Sequence, residues 1–238
     1  MSSTDCENFI SREEYLKVSH TSLLFLGGEP DSSVIAECAL RFGFSHLTFV
    51  DDSRVELSDL QNDCFSRTDV GNYKVEAIKR KLLEVDPTAE ISLVTADVTA
   101  VDLESLIVKH DIAINLLRKF PTKYSVLFNT ICLNLGVPVL HTYNIGWAGI
   151  ATVINKHSQS LEWSNLEYRV FIKMVADYYR YWGTPQHWLE DVLNLNKECK
   201  ISIGSWILGG LITNILYDIV VGNNVRCYPQ FYMMTIKI

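Results

Sequence analysis

The chain has 238 residues, a formal net charge of −7 at neutral pH, and 48% hydrophobic and 21% charged residues. A chain of this length can bury a complete hydrophobic core, and the composition is that of a globular protein rather than a disordered one. The acidic balance argues against a nucleic-acid partner, which would need a basic face.

The composition also bears on the compartment. Residues 1–20 are polar and lack the apolar core of a secretory signal. The six cysteines include no C-x-x-C pair, so we expect reduced thiols, no zinc and a cytoplasmic protein.

The apolar stretch 201–221 is long enough to span a membrane, but Asn214 and Asp218 would be costly in lipid. We therefore predict a buried core helix and no membrane contact.

Short apolar runs alternate with amphipathic stretches along most of the chain. Strands are predicted at 23–26, 47–50, 91–94, 112–116, 138–143 and 150–154. Helices are predicted between them at 34–43, 72–85, 103–109 and 121–136. Residues 31–33 offer a cap for the first helix, and residues 55–68 should be irregular. This alternation predicts an α/β fold with a doubly wound, mostly parallel, Rossmann-like sheet.

The pattern changes at residue 157. Residues 157–200 are rich in tyrosine and tryptophan and predict a helical excursion across the open end of the sheet. Residues 201–238 predict a return helix and a closing strand. We thus divide the chain into a polar N-terminal segment, 1–20, and a single domain, 21–238.

A glycine turn follows the first predicted strand, and an acidic pair follows the second. Gly27 and Gly28 supply the turn, and Asp51 or Asp52 lies where a nucleotide ribose would be bound. Glu29 stands where a further glycine would let a phosphate approach, and it adds negative charge there. The same residues also fit a turn that only connects a strand to a helix.

Three further motifs follow in order, at residues 49–62, 69–77 and 84–87. They resemble the Asp-x-Asp-x-Val-x-x-Ser-Asn-Leu-x-Arg-Gln run, the Gly-x-x-Lys-x-x-Ala motif and the Asn-Pro pair of the ThiF/MoeB/HesA family of activating enzymes. The resemblance extends from about residue 23 to about residue 154. It includes the segments 111–114, 120–124, 132–138 and 146–149.

Members of that family bind ATP and Mg²⁺ and adenylate a carboxylate, usually on a ubiquitin-like or sulfur-carrier protein and sometimes on a peptide. The resemblance therefore implies an adenylate-forming nucleotidyltransferase with ATP as cofactor and such a protein or peptide as partner. It places Asp51 at the ribose-binding acid and Lys74 at the phosphate-binding lysine. For Lys74 the alternative is a solvated helix face.

Two positions depart from the family pattern. Asn62 stands at the phosphate-contacting arginine, and Arg118 falls on the metal-holding aspartate. Because an arginine cannot ligate Mg²⁺ and repels it at close range, binding of Mg²⁺ is doubtful and no metal ligand is assigned. Arg118 and Lys119 could instead neutralise a phosphate or a substrate carboxylate. Lys74 and Arg118 are accordingly the candidate catalytic residues.

Two other residues have both a functional and a structural interpretation. Cys199 lies in the region where some family members form a thioester, but an unreactive cysteine is the favoured interpretation beside Glu198. His141 lies at the end of a predicted strand, where it could act as a base or serve as a hydrogen-bonded structural residue.

Three functions are consistent with these observations. The first is an ATP-dependent activating enzyme with altered metal and phosphate handling. The second is a catalytically weakened member, a pseudoenzyme that holds a carrier protein or an active partner. The third, an NAD-linked oxidoreductase, leaves residues 58–62 and 71–74 unexplained. The aromatic residues after position 157 further predict a homodimer or heterodimer.

Overall fold

The computed structural model describes residues 10–62, 64–117, 122–158, 167–195 and 201–237. The strands are β1 (Ser22–Leu26), β2 (His46–Val50), β3 (Glu90–Val94), β4 (Ile112–Asn115), β5 (Val139–Asn144), β6 (Ala148–Ile154) and β7 (Tyr232–Thr235). The helices are α1 (Arg12–His20), α2 (Pro30–Phe42), α3 (Lys74–Val85), α4 (Leu103–Ile107), α5 (Thr122–Leu135), α6 (Tyr168–Tyr181), α7 (His187–Asn194) and α8 (Ser202–Val221). Short 3-10 helices lie at Leu57–Asn62, Arg67–Asp69 and Val98–Ala100.

The described strands form one sheet in the order β3-β2-β1-β4-β5-β6-β7. The first five are parallel, whereas β6 and β7 are antiparallel to their neighbours. The connections run in opposite directions on either side of β1, so a crevice opens at the carboxyl ends of β1 and β4. The predicted doubly wound, mostly parallel sheet is confirmed.

Helices cover both faces of the sheet and make two hydrophobic cores. Alternate residues of β1 contribute to the two cores. Phe25 lies in the first core, with α2, α3 and α8, and Leu24 lies in the second core, with α4 to α7. Phe25 also stacks on Phe49 of β2, with ring centroids 4.8 Å apart. Because parallel strands covered on both faces are apolar throughout, their boundaries were predictable to within two residues.

The predicted start of the first helix is wrong. Helix α2 begins at Pro30, with Glu29 as its N-cap, so residues 31–33 lie inside the helix and are buried. Proline favours the first helical position, because it has no N–H group to leave unpaired and its φ angle suits a helix. The carboxylate of Asp31 is therefore turned into the protein instead of capping the helix.

Helices α6 and α7 occupy the predicted excursion, and Phe171 and Leu189 anchor them in the second core. Residues 12–20 of the polar N-terminal segment form α1, which has a capping box between Ser11 and Glu14. Val18 of this helix is buried in the first core.

Helix α8 is, within the described residues, the one helix that is long and apolar enough to cross a membrane. Half of the apolar 18-residue stretch that makes it long enough is buried inside the protein. Gly209 lets the helix approach α2 closely, since a Cβ atom there would lie 2.7 Å from Cys38 Sγ and 3.1 Å from Val34 Cγ1. Leu208, with Leu211 and other apolar residues of this helix, belongs to the first core, as predicted for a core helix.

Candidate nucleotide site

A glycine turn joins β1 to α2 at the crevice. Gly27 has a φ angle of +102°, which a residue with a side chain rarely adopts. A Cβ atom at Gly28 would lie 3.0 Å from Lys74 Cβ and 3.4 Å from Asp51 Cβ. The turn thus brings the ends of β1 and β2 and the start of α3 into contact, and glycine at position 28 makes this approach possible.

Asp51 follows β2 and is fixed by the backbone around it. One carboxylate oxygen accepts a hydrogen bond from the Gly28 N–H at 2.6 Å. The other accepts from the Ser53 N–H at 2.6 Å and from the Ser53 hydroxyl. Each carboxylate oxygen has two lone pairs, so the oxygen that faces Gly28 retains capacity to accept a ribose hydroxyl. Asp52, by contrast, is exposed.

Lys74 is the first residue of α3, and its N–H donates to the Ser53 carbonyl at 2.9 Å. Its side chain is 9% exposed, which overturns the alternative of a solvated helix face. The ammonium Nζ lies 3.3 Å from Asp59 Oδ1 and 3.8 Å from Glu29 Oε1. Lys74 therefore points into the site, where two carboxylates contact it.

The first turn of α2 also carries protein carboxylates. The N-terminus of a helix attracts anions, because its first N–H groups lack partners within the helix. Here Glu29 is the N-cap, and Asp31 lies in the first turn and is buried. Asp31 Oδ1 accepts hydrogen bonds from Asn144 Nδ2 at 2.8 Å and from the Ser205 hydroxyl at 2.6 Å. Glu29 therefore places an acidic side chain next to the turn that a phosphate would approach, whereas Asp31 is directed into the protein.

The segment between β2 and α3 is held by polar contacts of its own. Burial favours a higher pKa for Asp69, but hydrogen bonds from Ser66 and Arg80 outweigh it and hold that pKa below its ordinary value. Asp69 is thus a buried carboxylate ion-paired with Arg80 on α3. The Arg54 guanidinium lies 4.0 Å above the Tyr73 ring and donates to the Gly71 carbonyl at 2.7 Å. These contacts fix the position from which Lys74 enters the site.

His141 lies in a buried hydrogen-bonded network. Its Nε2 is 2.9 Å from Asn129 Oδ1, and its Nδ1 is 3.3 Å from Asn115 Nδ2. Asn115 Oδ1 in turn accepts from the Leu117 N–H at 3.1 Å. Burial lowers the pKa of His141 to about 3, so the ring is neutral, with the proton on Nε2 facing the amide oxygen. Both ring nitrogens are engaged, and this favours the structural interpretation over a general base.

The structure brings Gly27, Gly28, Asp51 and Lys74 together. Asn62 ends a 3-10 helix beside them, but its side chain is not among those described. Arg118, Lys119 and Cys199 lie outside the described residues, so their predicted roles stay predictions. Among the described residues, histidine, cysteine and acidic side chains form no group of three or more that could hold a metal.

Sequence reasoning missed two features of this region. One is the pairing of Lys74 with Asp59, and the other is the amide network around His141. Asp59 comes from a 3-10 helix within a stretch that was expected to be irregular, and its position depends on how that stretch folds back. The charge of Glu29 was the one signal that could have indicated a partner for the lysine.

The comparison with known families decides the relationship. The family model described as ThiF family matches residues 5–234. The chain belongs to the ThiF family. Two relatives are each named a probable molybdopterin-synthase adenylyltransferase. The one from Pyropia yezoensis is 32% identical over 95 residues, which are 40% of this chain and 24% of the relative. The one from Porphyra purpurea is 26% identical over 132 residues, which are 55% of this chain and 33% of the relative.

Solved structures share the fold of this chain. E. coli MccB in complex with ATP has a TM-score of 0.64 and 14% identity, covering 94% of this chain and 66% of MccB. PaaA has a TM-score of 0.68 and 13% identity, covering 94% of this chain and 72% of PaaA. At these identities the likeness shows the fold. This chain thus spans about two thirds of MccB, and its matched segments span a third or less of the two adenylyltransferase relatives.

Proposed function

We propose that this ThiF-family protein is an ATP-dependent, adenylate-forming enzyme that activates a carboxylate on a protein or peptide. The observation that carries the proposal is the convergence of the glycine turn, Asp51 and Lys74 at the carboxyl ends of β1 and β2. Open α/β sheets bind their ligands at this edge.

The residues present fit a nucleotide. Asp51 would accept a hydrogen bond from a ribose hydroxyl, while Gly28 leaves the turn without a side chain that would block the ligand. Lys74 would face the phosphates and stabilise the charge that builds up on departing pyrophosphate. Bound ATP would supply the α-phosphorus that a carboxylate oxygen attacks, with pyrophosphate as the leaving group.

The relatives support both a nucleotide and a second substrate. Two of them are named adenylyltransferases, and MccB has been crystallised with ATP and with AMPCPP together with MccA. For this chain we propose a ubiquitin-like protein, a sulfur-carrier protein or a peptide as the partner. We also propose that it acts in the cytoplasm as a homodimer or heterodimer.

Exchange of radiolabelled pyrophosphate into ATP tests the activity directly. We expect Mg²⁺-dependent exchange to be weak or absent, both with the isolated chain and with ubiquitin-like carriers, because Arg118 and Asn62 stand at the metal and phosphate positions of the family. Exchange that depends little on Mg²⁺ and requires an added protein or peptide carboxylate would support the proposed enzyme. Robust Mg²⁺-dependent exchange by the chain alone would show that Arg118 is wrongly aligned or that another acid, such as Asp52 or Asp63, holds the metal.

A second candidate function is a catalytically weakened subunit that holds a carrier protein or an active partner. The two carboxylates that contact Lys74 favour this candidate, because they engage the lysine that would face the phosphates. Exchange that stays absent with every candidate partner, combined with stable capture of one of them, would support the weakened subunit over the enzyme.

A further inference from the structure

Three charged side chains from different parts of the chain meet at the phosphate end of the proposed site. Glu29 comes from the N-cap of α2, Asp59 from the first 3-10 helix and Lys74 from the start of α3. Their side chains are 23%, 15% and 9% exposed, respectively, so solvent screens these charges only in part.

The two carboxylates differ in how they are held. Asp59 Oδ2 accepts a hydrogen bond from the Glu56 N–H at 2.9 Å, and its Oδ1 makes the shorter contact with the ammonium, at 3.3 Å. Glu29 makes the longer contact, at 3.8 Å, and directly follows the turn that a nucleotide would approach. Asp59 is therefore a fixed part of the lysine's surroundings, whereas Glu29 occupies the side from which a phosphate must arrive.

A phosphate bound at this turn would need the same ammonium that Glu29 contacts. It would also gain from the partial positive charge at the N-terminus of α2, where Glu29 is the N-cap residue and makes no side-chain capping hydrogen bond to the helix. Each additional phosphate charge increases the repulsion from that carboxylate, and the repulsion is strong because the groups are partly buried.

We propose that Glu29 is a specificity-determining residue, which competes with phosphate for Lys74 and penalises a ligand in proportion to its phosphate charge. This inference rests on the proposed nucleotide site. Glu29 thereby sets how much of the binding of a nucleotide depends on its phosphates and how much on its nucleoside. Neutralising Glu29 leaves the nucleoside contacts of Asp51 in place and removes the charge of one of the two carboxylates that contact Lys74.

Calorimetric titration of the full chain tests the proposal with three probes in metal-free buffer: adenosine, ATP and inorganic tripolyphosphate. The variants are Glu29→Gln and Glu29→Asn, and the second also supplies a favourable N-cap if the first folds poorly. The matched control is Glu84→Gln. It removes the same charge from an exposed residue of α3 that lies ten positions, or about 15 Å, along the helix from Lys74.

The expected result is a gain of about tenfold or more in affinity for ATP and tripolyphosphate in both Glu29 variants. Adenosine affinity should not change, and Glu84→Gln should behave as wild type. Nucleotide binding with equal ATP affinity in wild type and the Glu29 variants would overturn this proposal and leave the proposed function intact.

The remaining outcomes separate the two proposals. A gain for tripolyphosphate in the Glu29 variants without nucleotide binding by any of the proteins would support the role of Glu29 and overturn the proposed function. Folded Glu29 variants that bind none of the three probes would overturn both.

Discussion

His141 shows how a single buried residue couples stability to pH. The histidine ring is neutral in the folded protein, where burial lowers its pKa to about 3 from the ordinary value of 6.5. Between these two values the unfolded chain binds a proton that the folded chain does not. The stabilising contribution of neutral His141 is therefore complete above about pH 6.5 and is lost as the pH falls towards 3. The pKa of His110 is lowered too, by burial, so His110 contributes in the same direction.

We expect the unfolding free energy to fall below about pH 6.5, with a slope for His141 of up to about 1.4 kcal/mol per pH unit. His141→Gln should flatten that slope, because glutamine does not titrate but can still donate to one amide and accept from another. Chemical denaturation at several pH values measures this slope. His20→Gln, at an exposed histidine, is the control. An unchanged slope in His141→Gln would show that other groups account for the acid dependence.

The site residues were predictable to different degrees. Asp51 and Lys74 could be placed from their motifs, because both directly follow or begin a regular element whose position the sheet determines. The neighbours of Lys74 could not, because Glu29 and Asp59 reach it only when two separate connections fold against α3. The burial of Asp31 was hidden for the same reason, since its partners Asn144 and Ser205 lie far along the chain.

At the level of elements, the contact between α8 and α2 depends on the absence of a side chain at one position. Gly209→Ala would place a Cβ atom 2.7 Å from Cys38 Sγ, so either the helices separate or a side chain moves. Such overpacking costs about 1–3 kcal/mol, which exceeds the gain of up to about 1 kcal/mol from alanine's helix propensity. We predict that thermal unfolding of Gly209→Ala occurs at a lower temperature than that of wild type.

Its neighbour Gly210 provides the control. A Cβ atom at Gly210 would meet no atom within 4 Å, so Gly210→Ala should gain helix propensity without overpacking. We expect this variant to be as stable as wild type or slightly more stable. If both substitutions shift the unfolding temperature equally, close packing at Gly209 does not hold α8 against α2.

The strands and helices of the sheet were predictable because most strands are short, largely apolar runs between turn residues. The start of α2 was not, since the residues 31–33 resemble a cap in sequence while Pro30 initiates the helix. The segment between β2 and α3 contains two 3-10 helices, which have too few residues to show a hydrophobic period.

For the whole molecule, the surface of α6 bears on the proposed oligomer. Val170, Tyr178, Tyr181 and Trp182 of this helix and its C-cap are exposed large side chains. Aromatic residues are enriched in the cores of protein interfaces, so we expect this region to contribute to a homodimer or heterodimer. Light scattering should show a dimer that the double substitution Tyr181→Ser and Trp182→Ser weakens. A wild-type monomer at micromolar concentration, with no partner recovered from its source, would contradict this expectation.

If the glycine turn, Asp51 and Lys74 form a nucleotide site, ATP should bind to the protein and its affinity should depend on Lys74. Calorimetric titration with ATP measures this for wild type, Lys74→Ala and the control Lys109→Ala. Lys109 is exposed and precedes β4, so it lies at the opposite edge of the sheet. We expect saturable ATP binding that weakens at least about tenfold in Lys74→Ala, where Glu29 and Asp59 lose their shared cation, and not in Lys109→Ala. No ATP binding by the wild type, or equal affinity in all three proteins, would contradict the proposed nucleotide site.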